Sequence, residues 1–176
     1  MLASDIVQFV TRPVWFIQNK KTSKKLGFIG VFLASLSMVS QSDIVASQPI
    51  LAIIVTFIMY CLFLYIQTTM LDFFAQICGH KGNSLTLFCW FGFSLMGICL
   101  NVPLYMLRYS VPSFLQAGVM VIEILVIFLI IYWQLQILSS IYQMSVKKSM
   151  LIYFFPMLIF LLFMGFLFSF FLFGGI

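Results

Sequence analysis

The segment that decides the fold is residues 114–142, with the sequence FLQAGVMVIEILVIFLIIYWQLQILSSIY. Glu123 is its single charged residue. A helix rises about 1.5 Å per residue, so this segment is longer than the roughly 30 Å of hydrocarbon in a bilayer. The pattern is typical of a membrane-spanning helix.

The composition of the whole chain agrees with that interpretation. Of its 176 residues, 64% are hydrophobic and 7% are charged, and 22 are Phe. A soluble domain of this size lacks the interior volume to bury so much apolar surface, whereas a bilayer accepts it on the outside of a helical bundle. Membrane lipids are therefore the expected surroundings.

Four further apolar runs accompany the first. We predict an all-α integral membrane bundle of five transmembrane helices, and a domain that covers residues 26–176. The predicted spans are residues 26–41, 50–74, 85–107, 114–142 and 151–173. The first run is the shortest, so a second line of evidence is needed for its crossing of the membrane.

The distribution of basic residues supports a crossing by the first run. If that run spans, eight of the nine Lys and Arg lie on one side and only Arg108 lies opposite. If it does not span, the split is six to three. The positive-inside bias favours the first arrangement, which places the N-terminus inside and the C-terminus outside. The same distribution explains the net charge of +5 without nucleic acid as a partner.

Residues 1–25 form a basic segment ahead of the first span. Its apolar residues recur at near-helical spacing, and Pro13 is expected to divide the helix or to start its second part. We predict an amphipathic segment that lies on the membrane surface, with a frayed tail as the alternative. The expected contacts with lipid headgroups are made by Lys20, Lys21, Lys24 and Lys25.

Small and polar residues at four-residue spacing predict the faces where helices meet, because helix association in lipid depends on close packing. The pairs are Gly30 with Ala34, Gly97 with Asn101, and Gly165 with Ser169. Pro103 and Pro156 predict kinks, since each lacks a backbone donor.

Glu123 is the one carboxylate well inside a predicted span. An acid at that depth should be protonated, paired or turned toward a wet cavity. Asn101 reaches a similar depth on the neighbouring span and Arg108 can bend toward it, so these three residues form a candidate intramembrane polar site. A structural hydrogen bond between Glu123 and Asn101 is the preferred interpretation, and a proton or ligand site is the alternative. Asp72 is expected to face interfacial water or a lysine.

Motifs of the common hydrolases and nucleotide-driven enzymes are missing from the sequence. The connection Cys78-Gly79-His80-Lys81-Gly82-Asn83 holds the single histidine, and a tight turn explains it better than a metal site. We therefore predict no catalytic residues, no metal and no cofactor.

Several short sequence features occur in an order similar to that of a known family. They are Pro13-Val14-Trp15-Phe16 before the basic stretch, the loop with Gly79 and Gly82, Tyr109-Ser110-Val111-Pro112 before the fourth span, Trp133 within it, and Met144-Ser145-Val146-Lys147-Lys148-Ser149 before the last span. This order resembles the Yip family of five-span proteins, named for interaction with Ypt/Rab GTPases. The eukaryotic members carry a longer N-terminal region, so the resemblance implies a short bacterial-type member in the cytoplasmic membrane.

Short connections leave no room for a soluble catalytic domain, so we predict a non-enzymatic scaffold or accessory subunit of a membrane complex. The expected partner is another integral membrane protein or a second copy of the chain. The alternative is a small transporter or lipid-handling protein with its site near Glu123. A membrane enzyme is a third and weaker possibility.

Overall fold

The computed structural model describes residues 2–19, 24–41 and 48–173. Side chains are described for residues 7–13, 15–18, 24–41, 48–156, 158, 159 and 162. These residues are helical between short connections, and the described part contains no strand. The helices are α1 (Leu2–Thr11), α2 (Pro13–Asn19), α3 (Lys24–Ser40), α4 (Pro49–Ile77), α5 (Ser84–Ser94), α6 (Asn101–Ser110), α7 (Ser113–Tyr142) and α8 (Val146–Phe173).

Three helices of the described part are long and apolar enough to cross a membrane, where five were predicted. They are Pro49–Ile77, Ser84–Ser110 and Ser113–Tyr142. The predicted first span corresponds to α3, which has 17 residues and a length of roughly 26 Å. The predicted last span lies in α8, a helix of 28 residues with Pro156 inside it.

The third long helix was predicted as one span, residues 85–107, with a kink at Pro103, and it is not α-helical throughout. A 3₁₀ segment, Leu95–Leu100, separates α5 from α6. Pro103 follows it on α6 and has no N–H to donate to the Cys99 carbonyl, so the regular α-helical pattern cannot run through this point. Apolar composition does not encode this change of hydrogen-bond pattern.

The centre of the bundle is α5, on which eight consecutive residues from Leu87 to Ser94 are buried. α3 runs parallel to α5, and the backbones of the two helices are in direct contact. A Cβ atom on Gly27 would lie 2.7 Å from the Cys89 Cα, and one on Gly30 would lie 2.1 Å from the Gly92 carbonyl oxygen. The inward orientation predicted for Gly30 and Ala34 is confirmed.

The other predicted small-residue faces have different outcomes. Gly97 faces α7, because a Cβ there would lie 2.7 Å from the Ile130 side chain, so its inward orientation is confirmed. Gly165 and Ser169 lie outside the residues whose side chains are described.

The two ends of the bundle differ in character. We call the half next to connections 78–83 and 143–145 the basic half, because Lys81, Lys147 and Lys148 lie there. We call the half next to connection 111–112 the distal half. The buried residues of α4, from Leu64 to Ala75, all lie in the basic half, as do seven of the nine buried residues of α7. The packed core is therefore concentrated in the basic half.

The N-terminal helices pack against the bundle. α1 ends at Thr11 and α2 begins at Pro13, so the predicted division at Pro13 is confirmed. The apolar face, however, was expected to contact lipid, whereas Phe9 and Phe16 are 2% and 0% exposed. Phe9 packs against Phe93 and Trp133, and α2 packs on α7. The apolar face of the N-terminal helices is therefore buried against aromatic side chains of the bundle.

Candidate functional site

The end of α4 forms a tight turn before α5. Gly79 has a φ of 87°, a conformation that costs a side chain but not glycine. Its N–H bonds to the Gln76 carbonyl and the His80 N–H bonds to the Ala75 carbonyl. This pair of bonds is a Schellman motif, and it confirms the tight turn predicted for this connection.

Beside this turn lies a buried carboxylate that the sequence interpretation placed wrongly. Asp72 was expected to face water or a lysine, but it is only 6% exposed. Its oxygens accept hydrogen bonds from Gln76 Nε2 at 2.9 Å, from the Asn83 backbone N–H at 2.7 Å and from the Tyr142 hydroxyl. A carboxylate with three donors keeps most of the hydrogen bonds that it loses from water.

The donors to Asp72 come from three different elements. Gln76 lies one turn along α4, Asn83 precedes the first residue of α5, and Tyr142 ends α7. One carboxylate therefore fixes the end of α4, the start of α5 and the end of α7 to one another. We call Asp72, Gln76, Asn83 and Tyr142 the Asp72 cluster.

Close packing leaves no space for a ligand next to this carboxylate on the side of Gly82. A Cβ atom on Gly82 would lie 2.6 Å from Gln76 Nε2 and 3.2 Å from Asp72 Oδ2. Packing as close as this suits a contact that holds helices together and not a site that binds a substrate.

A second layer of polar contacts covers the Asp72 cluster. The His80 ring meets the Tyr142 ring edge to face, and Lys148 Nζ lies 3.4 Å from His80 Nε2. These contacts connect the α4–α5 turn to the start of α8. Deeper in the bundle, the Tyr153 hydroxyl of α8 donates to Oε1 of buried Gln134 on α7.

The predicted site around Glu123 is only partly assembled. Glu123 Oε2 lies 4.0 Å from the Arg108 guanidinium, so α6 and α7 do bring these two residues together. The preferred hydrogen bond between Glu123 and Asn101 does not form, and Asn101 Oδ1 is buried without a hydrogen-bond partner among the described residues. Arg108 reaches the carboxylate instead because its long side chain lies near the end of the neighbouring helix.

Of the predicted headgroup contacts, Lys24 and Lys25 are exposed at the start of α3. Lys20 and Lys21 lie outside the described residues. Within the described part of the chain, no three His, Cys, Asp or Glu residues form a group that could hold a metal ion.

Sequence reasoning missed Gln76, Asn83 and Tyr142. The spacing of Asp72 and Gln76 by four residues, which places them on one helical face, was the available signal. Tyr142 could not be found from local sequence because it lies 70 residues from Asp72.

The chain was also compared with known proteins. No family model, no curated protein and no solved structure matches it.

Proposed function

We propose that this chain is a non-enzymatic integral membrane scaffold or accessory subunit, with five spans and a bacterial-type Yip-like arrangement in the cytoplasmic membrane. The N-terminus lies inside and the C-terminus outside. Two observations support the extra spans beyond the three long apolar helices. α3 runs parallel to α5 along its length, as the first and third of five spans must, and α8 has 28 residues.

The observation that carries the scaffold role is the apolar surface of the distal half. On α4, no residue from Pro49 to Phe63 is buried, and α6 buries none of its residues. Large apolar side chains such as Ile58 and Leu125 are exposed there. Lipid and the helices of another membrane protein are the surroundings that accept such a surface.

Site-specific photo-crosslinking in native membranes tests this role. A photoreactive amino acid is placed at Ile58 on α4 and at Leu125 on α7, and Phe73 on α4 is the matched control because it is similarly exposed in the basic half. We expect a specific protein adduct, from another membrane protein or a second copy, at the two distal positions and little at Phe73. Adducts with lipid alone at all three positions, from a solitary monomer, would contradict the scaffold role.

Cysteine accessibility in a background free of native cysteines tests the topology. We expect Asp43→Cys to react from outside and Ser145→Cys to react from inside sealed vesicles. Reaction of both from the same side would leave the first predicted span without support.

The Glu123 region keeps a second function open, that of a small transporter or lipid-handling protein. The observation in its favour is the Arg108–Glu123 pair between α6 and α7, together with the buried Asn101 oxygen on α6 that has no hydrogen-bond partner among the described residues. Water entry to Glu123, measured by reaction of Glu123→Cys with a small charged thiol reagent, would favour this function. Protection of that cysteine would favour a packing role.

A further inference from the structure

The two N-terminal helices form a shallow groove on their exposed side. Its cavity of about 220 Å³ is lined by Gln8, Thr11, Arg12 and Trp15. All four residues are exposed. They recur at intervals of three or four residues, so a helical path through Pro13 places them on one face.

The backbone keeps this helical path across the division at Pro13. The Arg12 N–H bonds to the Gln8 carbonyl at 2.9 Å, and the Phe16 N–H bonds to the Arg12 carbonyl at 3.0 Å. The adjoining face is fixed, because Phe9 and Phe16 are buried against Trp90 and Phe93. The groove is therefore a surface of defined shape.

The position of the groove along the bundle suits a membrane interface, and this step rests on the proposed membrane placement. α7 has 30 residues, so it is roughly 45 Å long and exceeds the hydrocarbon thickness by roughly 15 Å. Trp133 lies nine residues before the end of α7, at roughly 13 Å from the basic end. Phe9 contacts Trp133, which lies roughly 6 Å inside the hydrocarbon boundary when α7 is centred in the bilayer, a depth from which the long side chain of Arg12 reaches the headgroups.

The side chains in the groove suit a phosphate group. The guanidinium of Arg12 offers paired donors that match phosphate geometry, and Gln8 adds an amide donor. The Thr11 hydroxyl already donates its hydrogen to the Val7 carbonyl at 2.8 Å, so it lines the groove without donating to the phosphate.

We propose that the Gln8, Thr11, Arg12 and Trp15 groove binds the phosphate group of an anionic lipid headgroup. This site differs from diffuse attraction to the lysines, because the bidentate guanidinium of Arg12 makes the recognition specific. It goes beyond the scaffold role, since a defined lipid would fix the N-terminal helices at the membrane surface.

The test is native mass spectrometry of the detergent-purified full chain, titrated with phosphatidylglycerol and, separately, with phosphatidylcholine, whose phosphate is neutralised by the choline cation. Weaker retention of phosphatidylcholine supports an anionic headgroup, and equal retention of the two lipids overturns it. We expect Arg12→Gln to weaken phosphatidylglycerol retention roughly tenfold, because charge-assisted hydrogen bonds are lost. Arg12→Lys should lose part of this affinity, since it keeps the charge and loses the paired donors. Lys81→Gln, in the exposed connection between α4 and α5, is the charge-matched control and should retain the lipid.

Inorganic phosphate separates the two sources of the phosphate group. Failure of phosphate to displace the lipid supports a site for the headgroup, whereas displacement that depends on Arg12 means that free phosphate binds as well and overturns the lipid-specific form. Equal lipid retention by Arg12→Gln and the unmodified chain overturns the proposal. An equal loss in Lys24→Gln/Lys25→Gln also overturns it, in favour of diffuse attraction. Photo-crosslinking from Ile58 reports separately on the scaffold role, so the two can fail independently.

Discussion

The basic half and the distal half of this bundle are built from the same apolar helices but solve different problems. In the basic half, α5 is surrounded by neighbours and the buried Asp72 carboxylate accepts three hydrogen bonds. In the distal half, α6 has no buried residue and the Glu123 carboxylate keeps 22% of its side chain exposed beside Arg108.

This difference indicates which half of the bundle contributes most to the stability of the fold. Helices in lipid gain little from burial of apolar surface against one another, so close backbone contact and interhelical hydrogen bonds must hold them together. Both are concentrated in the basic half. Substitutions there should damage the fold, and comparable substitutions in the distal half should leave it intact.

The largest effect is expected for Gly30→Ala. The new methyl group would lie 2.1 Å from the Gly92 carbonyl oxygen, and backbone atoms cannot move aside cheaply. We expect α3 to separate from α5, with a loss of about 3 kcal/mol in the free energy of unfolding. Titration of the purified protein with a denaturing detergent measures this loss.

Gly118→Ala in the distal half is the matched control for this substitution. A Cβ atom there would meet nothing within 4 Å, so its stability should not decrease. Equal damage from the two alanines would mean that helix packing is not concentrated in the basic half.

Asp72→Ala should have the next largest effect. It leaves the Tyr142 hydroxyl and the Asn83 N–H without an acceptor in a buried place, at a cost of about 2 kcal/mol. Asp72→Asn should be milder, because one amide oxygen can still accept from both donors. The melting temperatures of the two variants in one detergent provide the comparison, and a more harmful Asn than Ala would contradict the assigned hydrogen bonds.

Tyr142→Phe measures the contribution of one hydrogen-bond donor to the Asp72 cluster. It removes the hydroxyl donor but keeps the ring that packs against His80, so we expect a loss of about 1 kcal/mol. Combining it with Asp72→Ala, which removes the acceptor, forms a double-mutant cycle, whose coupling energy should be non-zero because the residues are in contact. Additive losses would show that the hydroxyl and the carboxylate do not stabilise each other.

The sequence predicts the helices better than it predicts their contacts. The predicted spans 50–74 and 114–142 correspond to α4 at Pro49–Ile77 and α7 at Ser113–Tyr142, since apolar runs end at polar residues. Hydropathy cannot distinguish a carboxylate in interfacial water from one bonded to a tyrosine on another helix, so Asp72 was misplaced. The 3₁₀ segment was missed for a related reason, because its residues are as apolar as the α-helix around it.

The smallest effect is expected for Glu123→Gln in the distal half. The pair with Arg108 is long, at 4.0 Å, and both side chains are partly exposed at 22% and 36%, so the substitution should cost well under about 1 kcal/mol. Glutamine preserves the shape and a hydrogen-bond acceptor and removes only the charge. Denaturing-detergent titration should therefore place Glu123→Gln and Arg108→Gln close to the unmodified chain. If Glu123→Gln folds normally but abolishes function in a native complementation assay, the charge serves a working site, and the transporter or lipid-handling alternative replaces the scaffold role.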